Sequence, residues 1–99
     1  MSWADRAIKL LADGKQAMIK PHGESMKPKV ESGATVTLEP ITTEQLKVGD
    51  IVLCRVKGRV MLHLVKAKQG QRVLIGNNHG HINGWTKAVY GKATKIENG

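Results

Sequence analysis

Apolar residues recur along the chain at two different spacings. Near the start, Trp3, Ala7, Leu10 and Leu11 share one helical face, while Asp5, Arg6, Lys9 and Asp13 lie largely on the other. This predicts an amphipathic helix within residues 1–14, capped by Ser2 and ended by Gly14. A helix of about 12 residues is unstable alone, so its apolar stripe must dock on a core, a membrane surface or a partner. From residue 15 onward the spacing changes to two or to continuous apolar runs, which predicts strands and a single β domain over 15–99. Residues 16–20 form a short extended run. Residues 34–39 alternate and end at Pro40, with Val36 and Leu38 expected on different faces. Thr43-Glu44-Gln45-Leu46 reads as one helical turn. The nearly continuous run 51–56 reads as a strand covered on both faces. Lys57-Gly58 turns it into 59–67, a hairpin that puts Met61, His63, Val65 and Ala67 on one face and Val60, Leu62, Leu64 and Lys66 on the other. Gln69-Gly70 turns the chain into a strand over 71–75. Residues 76–84 read as an irregular loop, and 88–96 as a last strand with a bulge at Gly91. The pattern is mostly β: one short N-terminal helix and five or six strands.

Composition sharpens this picture. A chain of 99 residues holds one modest core. Phe is absent and the aromatics are Trp3, Trp85 and Tyr90, so that core is built from Val, Ile, Leu and Met, a mixture that favours strands. Cys54 has no cysteine to pair with and lies in an apolar run, which suits a buried thiol in a reducing compartment. No run approaches the roughly 18 apolar residues of a membrane span. The expectation is a cytoplasmic, soluble chain. Its formal charge of +8 attracts polyanions, including nucleic acid, without specificity. The charges are scattered and not interleaved with aromatics, so a dedicated stacking platform for single strands is not expected.

The chemistry concentrates at Pro21-His22-Gly23-Glu24-Ser25-Met26-Lys27-Pro28, a segment too broken by Pro and Gly for a helix or strand interior. A serine on such a turn either bonds its own backbone or presents its hydroxyl beside exposed N–H groups, the geometry of a nucleophile with oxyanion donors. His63 is likewise either a half-buried histidine satisfied by a carbonyl or a general base. His22, His79 and His81 invite a metal reading, but no Cys or carboxylate is spaced to complete a tetrahedral set, so neither metal nor cofactor is expected.

Five elements in order, Gly23-Glu24-Ser25-Met26, Gly49-Asp50-Ile51-Val52, the strand holding His63, Gly76-Asn77-Asn78 and Val89-Tyr90-Gly91-Lys92, resemble the superfamily of serine peptidases shared by LexA-type repressors and type I signal peptidases. The match spans about residues 16–96. The resemblance implies a small coiled, barrel-like antiparallel sheet. It implies Ser25 as nucleophile, the backbone N–H groups of Glu24 and Ser25 as the oxyanion hole, Gly23 and Met26 in the substrate cleft, Gly49-Asp50 as structural, and His63 as base. Lysine is the commoner base in that superfamily, and His63 resembles the histidine of the endoplasmic-reticulum and archaeal types. Lys66, on the opposite strand face, is not a substitute. Where relatives tend to carry an Asp this chain has Asn77-Asn78, candidates to orient His63 without supplying charge.

The resulting expectation is a peptidase-like domain that cleaves or binds an extended peptide or protein through a Ser25–His63 dyad. The other reading is an inactive fold of the same type that binds protein or nucleic acid. The sequence shows neither a membrane helix, nor a helix-turn-helix, nor the Ala-Gly or Cys-Gly pair that LexA-like proteins self-cleave.

Overall fold

The structure is a computed structural model that describes residues 4–23, 26–27 and 29–98. Helix α1 (Asp5–Ala12) opens it, followed by β1 (Ala17–Ile19), β2 (Thr35–Glu39), a 3-10 turn at Thr43–Gln45, β3 (Ile51–Val56), β4 (Arg59–Gln69), β5 (Arg72–Gly76), β6 (Ile82–Thr86) and β7 (Val89–Glu97). The strands form one sheet in the order β1-β2-β7-β3-β4-β5-β6, with every neighbouring pair antiparallel. The mostly β architecture with one short helix is therefore the one the periodicity predicts.

Strand β3 shows why the chain needs both spacings of apolar residues. Ile51 and Leu53 face one core, which Leu62 and Leu64 of β4, Val36 and Leu38 of β2, Ile19 of β1 and Ala7 and Leu11 of α1 complete. Val52, Cys54 and Val56 face a second core with Val65, Val73, Ile75 and Leu46. A strand buried on both faces has no room for alternation of polar and apolar residues, hence the continuous run. The second core is closed by curvature. β6 swings back to the end of β3, where Thr86 Oγ1 donates to the Arg55 carbonyl at 2.7 Å and Arg55 N–H donates to the Ala88 carbonyl at 2.9 Å.

The hairpin joining β3 to β4 is as read. Lys57 and Gly58 both have positive φ, 51° and 82°, as a two-residue turn matched to strand twist requires. The closing strand bulges one residue before the expected Gly91: Leu53 pairs with Gly91 and Cys54 with Val89, leaving Tyr90 as the extra residue.

Three expectations are corrected. Val36 and Leu38 share one face and one core, because positions two apart on a strand point the same way. Residues 82–86 are a strand, not loop, with Leu74 paired to Trp85 and Ile75 to Gly84. The helix is eight residues long and starts at Asp5 with Ala4, which makes no side-chain cap, at its N-terminal boundary. Ser2 and Trp3 lie outside the described residues. The apolar stripe of α1 is docked: Ala4, Ala7 and Leu11 are buried in the first core.

Candidate functional site

Described residues of the segment between β1 and β2 are held by side chains from distant parts of the chain. Gly23 N–H donates to Ser32 Oγ at 3.1 Å, and Gly33 N–H donates to the Pro21 carbonyl at 2.8 Å, which draws the two ends of the loop together. Asn98 holds its far side, accepting from Glu31 N–H at 3.0 Å and donating to the Lys29 carbonyl at 3.2 Å. Asn78 donates to the Lys27 carbonyl at 2.7 Å. Met26 and Val30, 4% and 3% exposed, anchor the loop in the first core. A polar, irregular backbone is thus fixed by named acceptors and donors rather than by strand pairing.

Between this loop and β4 runs a cleft of about 410 Å³. Lys20 to Gly23, Met26 and Val30 form one wall and Val60 to His63 the other. Gly23 and Met26, both expected at the cleft, line it together with His63. Glu24 and Ser25, the expected oxyanion donors and nucleophile, lie outside the described residues.

His63 is half-buried on β4, opposite Val52 of β3. Its Nδ1 is in hydrogen-bond contact with the carbonyl oxygen of the preceding residue, Leu62. With Nδ1–H donating there, the neutral ring leaves Nε2 as the basic nitrogen. Burial pushes the imidazole below its ordinary value of 6.5. The Leu62 carbonyl works against that shift, and His81 adds to it by charge repulsion.

The asparagines expected to orient His63 are found on other partners. Asn77 Oδ1 accepts from the N–H groups of His79 and His81, at 2.8 and 3.0 Å, and so shapes its own loop. Asn78 serves the Lys27 carbonyl of the loop between β1 and β2. A backbone carbonyl thus fills the place expected of a side chain, which a residue pattern does not reveal. Asp50 is structural, as the resemblance implies: its carboxylate accepts from Lys47 N–H at 2.8 Å and lies 3.4 Å from Lys92 Nζ.

A second cleft, of about 490 Å³, adjoins the first and shares His63, Met61 and Val60 with it. Sequence reading missed it because His81 and Asn83 reach it from β6 and the loop before it, the stretch read as irregular. Among the described residues no three His, Cys, Asp or Glu side chains gather to hold a metal ion, and no helix is long and apolar enough to cross a membrane.

The family model for Peptidase S24-like domains matches residues 3–88, most of the chain. The protein belongs to the Peptidase S24-like family. Comparison with curated proteins gives no significant match. Membership agrees with the resemblance carried by the serine turn and with the β architecture around it. For a Peptidase S24-like chain, the cleft between the loop holding residues 20–31 and β4 is the candidate active site.

Proposed function

We propose that this chain is a serine peptidase that acts on an extended peptide, with Ser25 as nucleophile and His63 as general base. The observation that carries the reading is the cleft: Gly23 and Met26, the described residues on either side of positions 24–25, line it opposite His63. In this mechanism Ser25 Oγ attacks the peptide carbonyl carbon as its proton passes to His63 Nε2. The tetrahedral oxyanion is held by the N–H groups of Glu24 and Ser25. His63 then gives the proton to the leaving amine, and water, activated by the same imidazole, hydrolyses the acyl-enzyme. A depressed imidazole suits the first step, because the ring is neutral and able to accept a proton at pH 7.

A second reading is favoured by the Leu62 carbonyl at His63 Nδ1. A neutral oxygen orients the ring but offsets an imidazolium less than a carboxylate does, so the same groove would hold a peptide with little or no turnover. Labelling with a fluorophosphonate probe separates the two. Catalytic competence requires labelling of the native chain, its loss in Ser25→Ala, and a reduction of roughly 10²–10⁴-fold in rate for His63→Gln. An unlabelled native chain that still binds extended peptides establishes the second reading instead.

A further inference from the structure

The second cleft meets the first at Val60, Met61 and His63, and its chemistry differs from that of the first. Lys57 of the β3–β4 turn and Arg59 at the start of β4 line it, together with His81 and Asn83 from β6 and the loop before it and with Met61 and His63 of β4. No Asp or Glu is among its described lining residues. The first cleft, by contrast, is walled largely by Pro21, Met26, Val30, Val60 and Leu62, with Glu31 at its rim.

We propose that the second cleft is a specificity subsite that selects an acidic side chain on the peptide. Lys57 and Arg59 hold the carboxylate. This rests on the peptide-binding reading above and adds the class of sequence bound: a small or apolar residue seated in the first cleft, with Asp or Glu beyond His63. His63 lies between the two subsites, so the charge of the selected side chain also reaches the imidazole. A bound carboxylate raises the proton affinity of His63 and opposes the effect of His81, strengthening the base when the correct peptide is present.

The test uses the full chain carrying Ser25→Ala, so that peptides stay intact, and fluorescein-labelled decapeptides in which one Glu is moved along an otherwise neutral sequence. Anisotropy titrations should show Glu favoured over Gln at one or two adjacent positions only, by up to about fivefold per cation engaged. Arg59→Glu should invert the preference at those positions toward Lys, and Lys57→Asn, which keeps a residue tolerant of positive φ, should weaken it. Equal affinity for Glu and Gln peptides overturns the subsite. So does an equal gain wherever Glu is placed, since that reports only the overall charge. Position-dependent binding to Glu, with the native chain leaving the same peptide uncut, sustains the subsite and removes the catalytic reading alone. No binding of any peptide removes both.

Discussion

His63 holds its proton less tightly than a free imidazole because the folded chain partly removes it from water and sets His81 nearby. The sign of the effect on stability follows. The unfolded state takes up the proton at a higher pH than the folded one, so stability is full above 6.5 and declines as the pH falls below it toward the lowered folded value. Urea midpoints should drop between pH 7.5 and 5.5, and His63→Gln should remove part of that drop. The rate of probe labelling should fall at a pH below 6.5, where His63 of the folded chain becomes charged. Cys54 behaves oppositely: burial pushes its thiol up to about 12, so it stays protonated at pH 8. A thiol reagent should react with the native chain only as fast as the chain opens, and at once in denaturant. At this scale the types of the important residues were legible, because a serine between Gly and Pro and a histidine on an apolar strand stand out. Their partners were not: Leu62 acts through its carbonyl, and Asn78 and Asn98 act across 51 to 69 positions of chain.

Among the elements, the ones legible in advance are those whose own sequence carries both a strand pattern and its turn. The β3–β4 hairpin is the clearest case, with Lys57-Gly58 between two apolar runs. Gly58→Ala should cost about 1 kcal/mol in urea unfolding, since its φ of 82° strains any residue with a Cβ. β6 was not legible because its residues are half-exposed, interrupted by Gly84 and preceded by turn formers. It is recruited by β5, not by its own pattern. Gly76 at the end of β5 shows how tightly the following loop is drawn in: a Cβ there would lie 2.6 Å from the His81 carbonyl oxygen and 3.0 Å from Lys66 Cε. Gly76→Ala should therefore destabilise by about 1–3 kcal/mol. It should also displace His81, which a shift in the His63 titration by NMR would report.

For the molecule as a whole, the division into a helix over 1–14 and a β domain over 15–99 meets a packing constraint. Leu11 and Ala7 fill the first core beside Ile19 and Leu38, so a chain shortened to residues 15–99 would expose that core's floor. Such a chain should lose cooperative thermal unfolding or melt well below the intact one, whereas an independent β domain would be unaffected. The charge of +8 acts at the same scale: a generic duplex that binds at low salt and is released at moderate salt would report only diffuse attraction.

The sheet order leaves β1 and β6 at its two margins, and each shows water a large apolar side chain, Met18 at 62% exposure and Trp85 at 42%. Unpaired margins of this kind invite a neighbour to extend the ladder, and like charge on every copy is the force that keeps neighbours away. Added electrolyte shortens the reach of that repulsion. Concentrated solutions should accordingly stay monodisperse when dilute in salt and drift toward edge-to-edge stacking as ionic strength rises, a colloidal balance written into two short strands.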